Sequence, residues 1–216
     1  MGVSGTELHG GILASMPPHY EDDRMQITRV VVGPLVNNVF FVRCAETGQS
    51  VLVDAADEPD VLLPLCAELQ VGDVLTTHGH GDHIQAVPAM RAAGHRVGVA
   101  QGDARMLPAH DFEILDEAVV EVGRLRLHAL HTPGHTPGST CFRVEGSPVL
   151  FSGDTLFPGG PGSTRGNPVH FATIIRSIQQ RLFTLPDDTL VLPGHGDDTT
   201  IGTERPHLQE WIDRGW

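Results

Sequence analysis

The sequence predicts an α/β fold, an αββα sandwich in which two mixed β-sheets pack face to face and are flanked by helices. Two observations predict it. The chain has two β-rich halves, and helical segments close each half. The strands are short β-branched or apolar runs separated by turn residues. With 216 residues, 40% of them hydrophobic, the chain is long enough to bury one sizeable core.

The first half begins with apolar runs that turn residues such as Pro34 and Asn37 separate, which indicates antiparallel strands. A strand, a helix and a second strand follow and predict a βαβ crossover. The predicted elements are strands over 27–33, 39–44 and 50–54, a helix over 59–69, a strand over 74–77, a helix over 82–93 and a strand over 96–100.

The second half repeats this mixture. Its predicted elements are strands over 118–122, 124–130, 139–145 and 149–152, a helix over 171–183, a strand over 189–192 and a helix over 204–213. Residues 1–24 are rich in Gly, Ser, Pro and charge, so we expect an N-terminal arm or partly ordered tail. Residues 25–216 are then expected to form a single domain.

The composition of the chain limits the classes of partner that we expect. The chain has no apolar run of roughly 18 residues and no secretion-signal pattern, so we expect a cytoplasmic protein without a membrane partner. A formal charge of −13 argues against nucleic acid as a substrate. All 14 basic residues are arginines, which excludes lysine-based mechanisms. The three separate cysteines, Cys44, Cys66 and Cys141, are expected to be reduced. The oligomeric state stays open.

Three histidines and one aspartate lie within six residues, directly after a predicted strand that ends at Thr77. They are His78, His80, Asp82 and His83. Such residues are poor core residues, and the intervening Gly79 and Gly81 allow the loop to curl. Imidazole and carboxylate suit zinc, iron and manganese. A polar surface loop is the alternative interpretation.

Three further polar segments lie next to predicted strand ends, where a sheet scaffold presents ligands. They are 131–135 (HTPGH), 152–155 (SGDT) and 193–196 (PGHG). The motifs HxHxDH, TPGHTPGS, GDTLF and PGHG follow one another in this order. Together they resemble the metallo-β-lactamase superfamily, and most of all the hydroxyacylglutathione hydrolases (glyoxalase II) and their short bacterial relatives. The resemblance covers roughly residues 30–200 and implies the metallo-β-lactamase fold.

The resemblance also implies a ligand set for two divalent metal ions, zinc in the first place, with iron or manganese as alternatives. His78, His80 and His135 would hold the first ion, and Asp82, His83 and His195 the second. Asp154 would bridge both ions, and Asp82 and Asp154 are the candidate catalytic carboxylates. A hydroxide between the ions would attack a carbonyl carbon.

Five other residues receive supporting roles. Asp54 would orient a ligand, or else cap a strand-to-loop turn, and His131 would support a ligand or be structural. Ser163 stands where the family's long enzymes carry a lysine, and Arg165 is the nearby cation, unless it is only a solvated loop charge. His170 closes a Gly- and Pro-rich loop that would line the pocket, with a helix N-cap region as the alternative.

The leading function is a thioesterase that acts on a small acyl-thiol conjugate. The alternatives are a lactonase or other ester hydrolase on the same fold, or a persulfide dioxygenase-like enzyme with one iron on His78, His135 and Asp154. We do not expect glutathione specificity to follow from the resemblance, because the sequence has no lysine and its last residue stands about 20 residues after His195, where the family's long enzymes continue into a helical domain.

Overall fold

The structure, a computed structural model, describes residues 17–215. A first sheet of seven strands has the order β1 to β7, in which β1 to β4 are antiparallel neighbours and β4 to β7 are parallel. These strands are β1 Tyr20–Glu21, β2 Met25–Val32, β3 Asn37–Cys44, β4 Ser50–Val53, β5 Val71–Leu75, β6 Arg96–Val99 and β7 Phe112–Glu113.

The second sheet has the order β15-β14-β11-β10-β9-β8, and only its β11–β14 pair is parallel. A small hairpin, β12 with β13, follows β11. The strands are β8 Val119–Val122, β9 Leu125–His131, β10 Thr140–Val144, β11 Val149–Gly153, β12 Leu156–Phe157, β13 Gly160–Pro161, β14 Leu190–Pro193 and β15 Thr199–Thr200.

The fold has four layers, two sheets between two layers of helices, and a hydrophobic cluster lies between each neighbouring pair of layers. One lies between the first sheet and its helices, one between the sheets, where the Phe40 and Phe151 rings are 5.2 Å apart, and one between the second sheet and its helices, where Trp211 is buried. The helices are α1 Pro59–Glu68, α2 Gly81–Ile84, α3 Val87–Ala92, α4 Pro168–Ser177, α5 Ile201–Glu204 and α6 Leu208–Arg214. The predicted αββα sandwich is confirmed.

Two predicted helices are interrupted. The helix predicted over 82–93 is divided into α2 and α3, because the amides of Gln85 and Ala86 donate to the carbonyls of Ala56 and Ala55 instead of to their own helix. The helix predicted over 204–213 is divided into α5, a 3₁₀ turn over Arg205–His207 and α6. Pro206 lies in that turn and has no amide hydrogen to continue the α-helical pattern.

The helix predicted over 171–183 begins earlier, at Pro168, because the side chain of Asn167 accepts hydrogen bonds from the amides of Val169 and His170. A π-helical turn over Ile178–Leu182 extends it. The predicted arm lies largely outside the described residues, although its last part includes β1, which pairs with β2. No helix within residues 17–215 is long and apolar enough to cross a membrane.

Candidate metal centre

The candidate centre lies at the edge of the sandwich where strands of both sheets end. The first sheet contributes the segment 78–83, which follows β5 and enters α2. The second sheet contributes His135 between β9 and β10, Asp154 after β11 and His195 after β14. The sheets are linked at this edge, since the Thr140 amide donates to the Thr77 carbonyl at 2.8 Å. All seven predicted ligands therefore meet at one edge.

The first group of ligand atoms comes from His78, His80 and His135, and its atoms lie within 4.8 Å of one another. Nδ1 of His80 is 2.8 Å from Nε2 of His135. The ring of His78 is buried and packs edge-on against both other rings, with centroids 4.9 Å and 4.7 Å away. Three imidazole nitrogens thus face one small volume.

Asp82, His83 and His195 form a second group with the same spacing. Nε2 of His195 lies 3.2 Å from Nε2 of His83 and 3.3 Å from Oδ2 of Asp82. Asp154 lies between the groups: its Oδ1 is 3.5 Å from Nε2 of His83, and its Oδ2 is 3.5 Å from Nε2 of His135. This position is the one expected of a carboxylate shared by two sites.

Hydrogen bonds on the outer side orient the imidazoles. In four of the five rings, Nδ1 donates to a protein oxygen and leaves Nε2 toward the centre, an arrangement typical of metal-ligating histidines. The pairs are His78 with Thr77 Oγ1 at 3.2 Å, His83 with Asp54 Oδ2 at 2.9 Å, His135 with the Ser163 carbonyl at 2.8 Å and His195 with the Leu35 carbonyl at 2.9 Å.

The charge states follow from burial and neighbours. Burial, reinforced by the adjacent imidazoles, holds the pKa of His78 well below its usual value. Burial also disfavours the charged form of His83, but the hydrogen bond and charge of Asp54 outweigh it and raise the pKa of His83 to about 9. Burial alone would raise the pKa of Asp82, yet the Asn37 amide and His83 lower it overall. Asp82 is therefore ionised at neutral pH.

Two buried polar atoms bear on whether the centre fits a metal ion. Nε2 of His78 and Oδ1 of Asp154 have no hydrogen-bond partner among the described residues, although each is screened from solvent. A buried polar atom without a partner is costly, and a metal ion would remove that cost. The backbone also leaves room, since a Cβ on Gly194 would lie 2.5 Å from Oδ1 of Asp154. The donor set and these atoms fit divalent metal ions.

The predicted substrate residues lie on the loop after Asp154. Ser163 contacts the centre through its backbone carbonyl, which holds His135, and its side chain is exposed. Arg165 is exposed, and its charge contributes to lowering the pKa of His80, after burial and the neighbouring His135. His170 is exposed in the first turn of α4, where its amide is capped, as the alternative interpretation expected.

The hydrogen bonds of His131 lead away from the ligands. Its Nε2 donates to the Ile114 carbonyl at 3.0 Å, and its amide donates to Asp116 at 2.9 Å. These bonds join β9 to the segment between β7 and β8, which agrees with the structural alternative for this residue.

Gly79 in the HxHxDH segment was expected to allow the loop to curl, and the structure gives a different reason for a glycine at this position. Gly79 does not adopt a positive φ, but a Cβ there would lie 2.7 Å from Cβ of Met106.

Sequence reasoning missed three supporting side chains. Asn37 donates to Oδ2 of Asp82 at 3.0 Å, and Asn38 holds the PGHG loop by donating to two of its carbonyls. Asp103 accepts hydrogen bonds from two of the ligand loops. The sequence pattern marks both asparagines only as turn residues, and Asp103 belongs to no motif, so only their spatial neighbours identify them.

Comparison with known proteins agrees with this geometry. Residues 32–195 match the family described as the metallo-beta-lactamase superfamily. A hydroxyacylglutathione hydrolase from Fuscovulum blasticum is 37% identical over 162 residues, 74% of this chain, which spans only 62% of that protein's length. The probable metallo-hydrolase YqgX from Bacillus subtilis is 31% identical, covering 84% of this chain and 95% of its own.

Among solved structures, TTHA1623 in a di-iron-bound form has a TM-score of 0.67 and 32% identity, and the match covers 82% of this chain and 96% of that one. Sequence, fold and the clustered histidines and aspartates thus agree. The chain belongs to the metallo-beta-lactamase superfamily, whose members are generally metal-dependent hydrolases.

Proposed function

We propose that the protein is a binuclear metal-dependent hydrolase that cleaves small acyl-thiol conjugates, a thioesterase. The observation that carries the proposal is the pair of ligand groups with Asp154 between them. Seven ligands exceed the four to six that one zinc or iron ion accepts. The likeness to a hydroxyacylglutathione hydrolase and to a protein with a di-iron form supports the substrate class and the metal count.

His78, His80 and His135 would hold one ion, and Asp82, His83 and His195 the other, with Asp154 shared. When bound, such ions supply activation of a water nucleophile at neutral pH and polarisation of a carbonyl oxygen. Metal binding requires an Nε2 that carries no proton, so an ion would displace the Nε2 proton that the raised pKa of His83 retains at neutral pH. It also requires defined tautomers. The outward Nδ1 bonds of His78, His83, His135 and His195 supply those tautomers.

The two carboxylates would supply negative charge to the metal ions. The side-chain amide of Asn37 donates to Oδ2 of Asp82, and the lowered pKa of Asp82 keeps this carboxylate ionised and able to bind a metal ion. Oδ1 of Asp154 is buried, and it accepts no hydrogen bond from any of residues 17–215. Arg165, near His80 on the exposed rim, is the cation available for an anionic group of the substrate.

The test combines metal analysis with activity. Protein purified without added metal, and protein reconstituted with zinc or iron, is assayed for metal content, thioester and lactone hydrolysis, and oxygen uptake. We expect close to two ions, hydrolysis of small thioesters, and a loss of at least about a hundredfold in kcat for Asp154→Asn, with the fold retained.

Arg124→Gln provides the matched control, since the side chain of Arg124 is 73% exposed and pairs with Glu46 at a strand turn remote from the ligand loops. This variant should keep the activity of the unmodified protein. A single iron with oxygen uptake and no thioester hydrolysis would overturn the proposal. So would an Asp154→Asn protein that binds both ions and turns over normally.

A further inference from the structure

Asp103 is a fully buried carboxylate in the turn that follows β6, and the metal chemistry described above does not use it. Its Oδ2 accepts hydrogen bonds from the Gly79 amide at 2.8 Å and from Oγ1 of Thr136 at 2.6 Å. Its Oδ1 accepts a hydrogen bond from the Gly138 amide at 2.7 Å. One side chain therefore joins a loop of the first sheet to a loop of the second sheet.

Two of the three donors, Gly79 and Thr136, adjoin ligands, and these ligands all belong to one group; the third donor, Gly138, lies three residues after His135. Gly79 separates His78 from His80, and Thr136 directly follows His135. These three histidines form the first ligand group, whereas none of the donors adjoins the second group. Because metal ligands must be held to about 0.5 Å, the backbone on which they sit has to be fixed.

The surroundings fit this carboxylate closely. A Cβ on Gly138 would lie 2.7 Å from Cγ of Asp103, and a Cβ on Gly79 would lie 3.2 Å from its Cβ. Glycine at both positions lets the two loops approach the carboxylate. All three partners are donors, so the site requires a side chain with two acceptor oxygens, which asparagine does not have.

We propose that Asp103 is a positioning residue that sets the geometry of the His78, His80 and His135 group, and of that group selectively. This inference rests on the proposed metal centre. Replacement by asparagine puts an NH₂ group opposite an amide N–H, so it removes at least one hydrogen bond and creates a contact between two donors. The ligand loops then lose their common anchor.

The test measures zinc affinity by chelator competition in two backgrounds that each disable one group. In His83→Ala, which retains the first group, adding Asp103→Asn should raise the zinc Kd by at least about tenfold. In His80→Ala, which retains the second group, the same change should alter the Kd less than threefold. Equal effects in both backgrounds, or no effect in either, would overturn the proposal.

Glu204→Gln is the matched control. Glu204 is 2% exposed and likewise accepts from a backbone amide, that of Gly159, and from a threonine hydroxyl, that of Thr199, but it adjoins no ligand. It should leave zinc affinity unchanged in both backgrounds, even where it lowers the unfolding temperature. If it weakens the first group as much as Asp103→Asn does, the effect of Asp103 is only structural.

A milder pair keeps the proposal testable if Asp103→Asn does not fold. Thr136→Val removes one hydroxyl donor at constant shape and should weaken zinc binding in His83→Ala severalfold, whereas Thr136→Ser should restore it. Identical affinities for the two variants would count against the proposal. Zinc binding requires no substrate, so two-site binding without thioester hydrolysis would sink the proposed function and leave this inference standing.

Discussion

Oδ2 of Asp54 lies 2.9 Å from Nδ1 of His83, and both side chains are buried. The same oxygen accepts from Oγ1 of Thr77 at 2.7 Å, and that hydroxyl in turn accepts from Nδ1 of His78 at 3.2 Å. A single carboxylate thus orients one histidine of each ligand group. This is the ligand-orienting role that the sequence left open against a strand cap, and these contacts favour it.

We first predict that Asp54→Asn lowers metal affinity and kcat by about 10- to 100-fold. Asp54 has a φ of 62°, a left-handed conformation that asparagine tolerates, so the substitution tests the hydrogen bonds rather than the backbone. Metal titration and steady-state kinetics measure it. Asp73→Asn, in β5 of the same sheet and paired with exposed Arg96, should behave as the unmodified protein. Equal losses in both variants would contradict the role of Asp54.

A second prediction concerns metal count. His83→Ala should bind about one ion instead of two, because His83 belongs to the second ligand group and its Nε2 lies 3.5 Å from Oδ1 of Asp154. Elemental analysis after gel filtration measures the count. Full activity with a single iron in this variant would refute the two-metal centre.

The third prediction concerns the thiol carrier, the thiol to which the acyl group of the substrate is attached, such as glutathione. Ser163→Lys should lower KM for S-lactoylglutathione with little change in kcat, since a cation on the rim adds binding that is equal in ground and transition states. The variant keeps the His135 contact, which uses the backbone carbonyl of Ser163. Ser163→Gln has similar length without charge and should leave KM unchanged. A micromolar KM in the unmodified protein would mean that other arginines already bind the carrier.

A fourth prediction concerns acid stability. The hydrogen bond from Arg181 lowers the pKa of Asp116 to about 2, while an unfolded aspartate titrates near 3.9. This pair therefore stabilises the fold above about pH 4, and its contribution disappears as the pH falls toward 2. Because Asp116 is 42% exposed, solvent screening limits the contribution to about 1 kcal/mol or less.

Urea unfolding measures this effect. The free energy of unfolding of Arg181→Gln should be lower than that of the unmodified protein at pH 7, and the difference should shrink between pH 4 and pH 2. Arg124→Gln, whose partner Glu46 is highly exposed, should show almost no difference at any pH. A difference for Arg181→Gln that stays constant with pH would show that packing, not charge, is responsible.

Element types and order were predictable because they depend on local pattern. Short apolar and β-branched runs between turn residues located β2, β3 and β9, and the density of imidazoles and carboxylates after β5 was enough to identify candidate ligands. The two-residue strands β1, β7, β12, β13 and β15 were not predicted, since two residues carry no periodicity. The break between α2 and α3 was also missed, because distant carbonyls cause it.

The sequence by itself determined which side chains could bind metal, since ligand chemistry is a property of residue type. Only the tertiary structure decided which hydrogen-bonding groups orient them. Asn37, Asp103 and the carbonyl of Ser163 lie far along the chain from the ligand atoms they support, and no local motif marks them. They reach the centre because both sheets end at one edge, where the buried polar groups of one loop are satisfied by those of another.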